Sequence, residues 1–292
     1  MNRAARMSRL KAILVLPAII LAFAGVGRGA VDLATAPSLM AALLPLGWLL
    51  ASLPIAVKQI AALGFGRIVT LGGKPGTLAF LFLAAIAGLA SAPIVGPDAA
   101  GLAFLLLLIV NSGAFLVWFP RLPGRTARLK VGEPMPDVTF HTLDGEPVRP
   151  ADLTDKPTFY LFFRGNWCPL CLAQIGAVAA HYQALAERGA RVALVSPQPE
   201  HESAALGRKY GVDFTILTDP DLKAAERLGL SHPEGVPAPM RGRYGASTVL
   251  PTLVLVDRGG VIRFADQTDD YTVRPEPDVM IDILDKENAS TT

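Results

Sequence analysis

Cys168 and Cys171 are the only cysteines in this 292-residue chain, and they lie three positions apart with Pro169 and Leu170 between them. An apolar run over residues 158–163 precedes them and reads as a strand. Pro169 suits the first position of a helix, where its missing N–H costs nothing. This places Cys168 at a helix N-terminus. Unpaired backbone N–H groups and the helix dipole favour an anion there, so its thiol should ionise more easily than a free one. Cys171 lies one turn further along the same face. It is placed to attack a mixed disulfide formed on Cys168 and release the product. Arg164 can add positive charge to the site, and Trp167 adjoins the thiol.

Other chemistries fit the same spacing less well. A Cys-x-x-Cys pair is also half of many zinc sites, but zinc needs two further ligands. The four histidines, His141, His181, His201 and His232, form no paired spacing, so no metal or other cofactor is expected. Two thiolates alone could hold a soft ion such as Cu(I). A disulfide scaffold needs more cysteines at wider spacings. Pro251 opens a later apolar strand and can be either an ordinary strand-start proline or a cis proline with its backbone beside the thiols. Paired with the upstream dithiol, the cis reading is preferred.

The surrounding pattern alternates strand and helix. Strands are expected at 158–163, 191–196 and 214–217, and helices at 169–188, 199–210 and 221–228. A hairpin over 252–257 and 261–265 turns at Arg258-Gly259-Gly260, and a helix over 277–286 closes the chain. The order predicts an α/β sheet covered by helices. The loop 235–245, rich in Gly, Pro and Arg, should border the site.

The first part of the chain has a different composition. The whole chain is 51% hydrophobic and 18% charged, against about 25% charged in ordinary soluble domains. Between residues 12 and 119 the only acids are Asp32 and Asp98. Four apolar stretches, 12–26, 37–57, 76–95 and 99–119, predict an N-terminal α-helical transmembrane bundle of about four spans. The short first stretch with its basic flank also resembles a signal peptide, with Ala34-Thr35-Ala36 as the cleavage site, and the uncleaved reading is preferred. Basic residues gather at the N-terminus, at Lys58, Arg67 and Lys74, and at Arg121, Arg125, Arg128 and Lys130. The positive-inside rule then puts both ends in the cytoplasm of a multi-pass inner or plasma membrane protein. No ionisable group lies at the centre of a span, which argues against a pump. Asn111 and Ser112 read as helix–helix hydrogen bonds. A net charge of +2 gives no reason to expect nucleic acid. The division is residues 1–121 as membrane region, 122–130 as basic linker and 131–292 as redox domain.

Residues 131–138 (Val-Gly-Glu-Pro-Met-Pro-Asp-Val), 217–221 (Leu-Thr-Asp-Pro-Asp) and the strand and turn at 253–260 resemble redoxin domains. The stretch 164–171 (Arg-Gly-Asn-Trp-Cys-Pro-Leu-Cys) is similar to the peroxiredoxin-like branch of the alkyl hydroperoxide reductase and thiol-specific antioxidant family, the branch with a thioredoxin-type Cys-x-x-Cys. The resemblance covers about residues 131–285 and implies a thioredoxin-like fold, Cys168 as the attacking cysteine and Cys171 as the resolving one. It also departs from that family. The Pro and Thr of the usual Pro-x-x-x-Thr-x-x-Cys fall at Leu161 and Gly165, and the usual late arginine falls at Pro251. Arg164, or Arg241 and Arg243, could substitute for it, although loop arginines are more often plain surface charges.

Three functions are expected from these readings, the first two of them antioxidant-like oxidoreductases. One is a thiol–disulfide oxidoreductase. The alternative is a thiol peroxidase reducing hydroperoxides at Cys168. A minor third is a non-enzymatic soft-metal binder. The partners expected are the lipid bilayer, a disulfide or hydroperoxide substrate, and a thioredoxin- or glutathione-like reductant.

Overall fold

The computed structural model describes residues 3–64, 79, 81–87, 90, 99–121, 128–267, 270 and 273–291. The chain divides into two compact units, Ile13–Arg121, and Leu122–Thr292 with Met1–Ala12.

The first unit is helical. Helix α1 (Arg3–Ala34) runs 32 residues, about 48 Å at 1.5 Å per residue, and continues through both sides of the 12–26 stretch. Helix α2 (Leu43–Gly64) and helix α3 (Ala99–Gly113) follow, the latter extended by a π-turn over Ala114–Trp118. Among the described residues three helices are long and apolar enough to cross a membrane. Most of the 76–95 stretch lies outside the described residues, as do residues 122–127 of the linker. Leu44, Trp48, Ala51, Leu105 and Leu108 interlock between α2 and α3, while Ile20, Phe23, Ile60, Leu106 and Val110 point outward. Polar groups inside this unit bond between helices. Trp48 Nε1 donates to the Gly101 carbonyl at 3.1 Å and Asn111 Nδ2 to that of Ala18 at 3.0 Å. Ser112 Oγ donates to the Ala51 carbonyl.

The second unit is a thioredoxin-like α/β fold. Its strands are β1 (Phe140–His141), β2 (Pro147–Val148), β3 (Thr158–Phe162), β4 (Arg191–Ser196), β5 (Thr215–Thr218), β6 (Ser231–His232), β7 (Thr248–Val249), β8 (Thr252–Val256) and β9 (Ile262–Asp266). Seven form one sheet in the order β2-β1-β5-β4-β3-β8-β9, and β6 pairs with β7 apart from it. Strands β3, β4 and β5 run parallel, and β8 lies antiparallel between β3 and β9. Every residue of β3 and β8 is buried, which is why they read as continuous apolar runs.

The pleat sends alternate side chains to opposite faces. Tyr160, Phe162, Val195 and Val254 meet Ala225 and Leu228 of α7 (Lys223–Leu228). Phe159, Leu161, Leu194 and Leu253 meet three other helices. These are α4 (Pro169–Ala180) through Cys171, Ile175 and Val178, α6 (Glu200–Tyr210) through Leu206, and α9 (Pro277–Thr291) through Met280 and Leu284.

Two sequence expectations change. The helix over 169–188 is interrupted at His181, whose φ of −107° and ψ of 10° leave the helical region, and α5 (Tyr182–Glu187) resumes beyond it. No described peptide bond is cis, so Pro251 is a trans proline. The Leu250 N–H is spent on the Leu230 carbonyl at 2.6 Å, which holds the chain extended from β7 into β8.

Candidate functional site

The site forms where β3 ends. Phe163 N donates to the Val195 carbonyl at 3.0 Å, and the chain then leaves the sheet. Gly165 takes φ of +140°, a region that glycine adopts without a Cβ penalty. Cys168 N donates back to the Gly165 carbonyl at 3.0 Å, closing the turn. Cys168 is then the N-cap of α4, with Pro169 at the first helical position. The N–H groups of Cys171 and Leu172 both donate to the Cys168 carbonyl at 3.1 Å.

Neighbouring side chains hold the loop in place. Asn166 N donates to Gln198 Oε1 at 2.8 Å, and Asn166 Nδ2 donates to the Glu202 carbonyl at 2.9 Å and to Glu202 Oε2 at 3.2 Å. Gln198 Nε2 donates in turn to Ser203 Oγ at 3.0 Å. From the other side, Thr248 Oγ1 donates to the Arg164 carbonyl at 2.8 Å. Sequence reasoning did not single out Gln198, Glu202 or Thr248, because only the fold brings them to the loop.

Cys168 and Cys171 are both free thiols, and their sulfurs lie 2.8 Å apart. Both side chains are buried, Cys168 at 3% exposure and Cys171 at 0%. The Cys171 thiol donates to Cys168, and this hydrogen bond does most to lower the Cys168 pKa, to about 6, against the opposing effect of burial. The charges of Arg164 and Arg274 lower it further. Burial raises the Cys171 pKa well above the ordinary thiol range, and the neighbouring Cys168 pushes it the same way. The two thiols are thus separated in role, one ionised near neutral pH and one a proton donor.

The supporting residues divide. Arg164 lies 4.6 Å over the Trp167 ring and donates to the Gly235 carbonyl, so it belongs to the site. Pro251 is buried at the head of β8, where Thr252 pairs with Phe162, the last residue of β3. Arg241 and Arg243 are held by carboxylates: Arg241 bonds Glu234 at 2.7 Å, and Arg243 pairs with Glu202. The 235–245 loop carries a 3₁₀ turn over Ala238–Met240 and the short helix α8 (Arg241–Tyr244), set between β6 and β7. Among the described residues no group of three or more His, Cys, Asp or Glu side chains gathers as a metal would need.

Residues 131–265 match the AhpC/TSA family. The chain carries an AhpC/TSA-family domain. That domain is a thiol-dependent oxidoreductase. Among its relatives, peroxiredoxin Q of Sedum lineare is 26% identical over 156 residues, 53% of this chain and 76% of that protein. Peroxiredoxin Q of Suaeda salsa is 28% identical over 156 residues, 53% of this chain and 66% of that protein. Both are described as chloroplastic. The crystal structure of Enterococcus faecalis AhpC aligns with 56% of this chain and 95% of its own, at 16% identity and a TM-score of 0.45.

Proposed function

We propose that the chain is a membrane-anchored thiol peroxidase that reduces hydroperoxides at Cys168 and closes a Cys168–Cys171 disulfide. The observation that carries this reading is the burial of the ionised sulfur. At 3% exposure, Cys168 admits a small electrophile far more readily than a disulfide on a folded protein. The relatives named peroxiredoxin Q support the same substrate class.

The Cys168 thiolate attacks one peroxide oxygen. A sulfur–oxygen bond forms, the O–O bond breaks, and the departing alkoxide or hydroxide takes a proton. Cys168 is left as a sulfenic acid, with the sulfur oxidised by two electrons and the peroxide reduced. Cys171, 2.8 Å away, then gives up its proton and attacks that sulfur. The S–S bond forms and the hydroxyl leaves as water. An external dithiol of the thioredoxin class, or two monothiols of the glutathione class, returns both sulfurs to thiols and is itself oxidised to a disulfide.

A second reading, thiol–disulfide exchange, is favoured by Gly165 and Pro251, which bring no polar side chain to the sulfur. The thiolate would then attack a disulfide sulfur and expel a thiolate, and Cys171 would free the second half. Stopped-flow oxidation of the reduced full chain by hydrogen peroxide, followed by Trp167 fluorescence, decides between the two. Second-order oxidation well above that of a free thiol, lost in Cys168→Ser, is expected. Oxidation no faster than a free thiol overturns the peroxidase reading and leaves disulfide exchange.

The apolar helices of the first unit serve as a bilayer anchor in this reading. The basic residues flanking the stretches favour the cytoplasmic side for the redox domain in this reading, where reducing thiol pools would keep the pair as a dithiol.

A further inference from the structure

Residues 3–12 open helix α1, yet they pack with the redox unit. One face of these turns is buried: Ala5 is 8% exposed, Ser8 4% and Ala12 6%, the three- and four-residue spacing of a helix stripe. Arg6, Arg9 and Leu10, on other faces, are exposed. Ser8 Oγ lies 3.0 Å from His232 Nε2, a hydrogen bond in either imidazole tautomer. Arg9 Nε stands 4.0 Å from Glu234 Oε2, a partly exposed pair that adds little by itself. The buried Ser8 bond is therefore the main polar link between these turns and the β6–β7 segment.

That segment holds the cysteine loop. His232 pairs with Thr248 in the two-stranded ladder outside the main sheet, and Thr248 Oγ1 donates to the Arg164 carbonyl at 2.8 Å. Beyond Glu234, the Gly235 carbonyl accepts from Arg164 Nη2. Both the backbone and the guanidinium of Arg164 are thus fastened to β6–β7, and Arg164 covers the Trp167 ring at 4.6 Å, beside Cys168. The junction is tightly fitted. A β-carbon at Gly235 would lie 2.8 Å from His232 Cγ and Nδ1. Glu234 takes φ of +59°, a conformation that persists in a residue other than glycine only where its surroundings impose it. Arg241 does so from one side, donating to the Glu234 carboxylate at 2.7 Å and to its carbonyl at 3.2 Å. His232 Nδ1 is buried without a hydrogen-bond partner among the described residues, so the polar anchoring of the ring rests on Ser8.

We propose that residues 3–12 are a docking segment for the redox domain, seated on β6–β7 through Ser8 and His232, and that this seat fixes Arg164 and with it the cover over Cys168. The partner of the β6–β7 face is this chain's own first turns, which do more than carry basic charge. Ser8 and His232 are positioning residues that act through Arg164. The inference rests on the dithiol reading above but not on the electrophile.

The test uses the full chain in detergent, carrying Ser8→Ala, His232→Phe or both. Alanine is the best helix former, so Ser8→Ala removes the hydroxyl without weakening α1, and far-UV circular dichroism checks folding. Two rates are read. Trypsin cleavage after Arg241 and Arg243, located by mass, reports the seat of β6–β7. Alkylation of the reduced chain by a bulky maleimide relative to iodoacetamide reports the cover, because Cys168 and Cys171 are the only cysteines. Each single substitution should raise the trypsin rate and the maleimide-to-iodoacetamide ratio by about threefold or more, as loss of one buried hydrogen bond does. The double variant should go no further than the faster single, since both remove the same bond. A parental trypsin rate in Ser8→Ala overturns the docking. Faster cleavage with a parental alkylation ratio overturns the link to the cysteine loop. Additive effects in the double variant overturn the shared bond. If His232→Phe does not fold, Ser8→Ala alone decides by the first two readouts. Neither rate requires peroxide, so a failed peroxidase assay leaves the test intact.

Discussion

Gly165 and Trp167 compete for the same volume. A β-carbon added at Gly165 would lie 2.7 Å from Trp167 Nε1 and 3.0 Å from its Cδ1, and the φ of +140° at that residue is one that side chains resist. The indole thus fills the place where a side chain three residues before the attacking cysteine would sit. The buried indole N–H has no hydrogen-bond partner among the described residues. The glycine and the tryptophan are a matched pair, which accounts for the absence of threonine at this point in the loop.

Gly165→Ala should therefore destabilise the redox domain by about 1–3 kcal/mol and slow alkylation of Cys168 by displacing the loop. Trp167→Phe, which removes the clashing nitrogen, should recover part of the loss but not the backbone strain. A double-mutant cycle in urea measures the coupling. Strict additivity of the two substitutions would show that they do not share the volume.

The ionisation of Cys168 gives a pH dependence with a definite sign. Its pKa in the fold is lowered to about 6, below the roughly 8.5 of a free thiol. The reactive thiolate is thus present above pH 6 and is lost as pH falls through that value. The stability that this ionisation adds has the same direction: it is complete above the free-thiol pKa and disappears as pH drops through the folded one. Alkylation of the reduced chain should inflect near pH 6, and Cys171→Ala should move the inflection upward, because the Cys171 hydrogen bond is the largest cause of the shift. Cys171→Ser, which keeps a donor, should move it less. A parent that inflects near the free-thiol value would refute this assignment.

Asn166 is the clamp between the cysteine loop and the head of α6. Its bonds reach Gln198 and Glu202, both buried. Asn166→Ala would keep the backbone bond to Gln198 Oε1 but remove the side-chain bonds with Gln198 Nε2 and Glu202, at a cost of about 1–3 kcal/mol. It should also loosen the turn that sets Cys168 on the helix, so alkylation should become slower at every pH without a shifted midpoint. Chemical denaturation and the alkylation profile read the two effects separately. A shifted midpoint at unchanged stability would show that Asn166 acts on the charge and not on the loop.

The parts of the site readable in the sequence were those set by local rules. A strand, a glycine, a cysteine and a helix-starting proline specify one turn, so Cys168 and Cys171 could be placed from spacing alone. Arg274 could not, because its position depends on where β9 ends and on the packing of α9 against the cysteine helix. Two prolines, Pro275 and Pro277, follow it and are the local sign of a stiff segment there. The pairing of β6 with β7 was invisible for another reason: each strand is two residues long, too short for a period. Arg241 and Arg243 were legible as charges but not as partners of Glu234 and Glu202, contacts that only the folded loop makes. Asn111 and Ser112, read as bonds between helices, make them.

The side of the membrane on which the dithiol works is the remaining prediction. Arg3, Arg6, Arg9 and Lys11 precede the first apolar stretch, and Arg121, Arg125, Arg128 and Lys130 follow the last. With four crossings both ends share the basic, cytoplasmic side. Added protease should therefore cleave the redox domain from inverted inner-membrane vesicles and spare it in intact spheroplasts. The converse result would place the dithiol outside. Electrons would then have to reach Cys168 from a separate membrane protein, since residues 12–119 contain no cysteine and the helices of this chain cannot relay them by dithiol exchange.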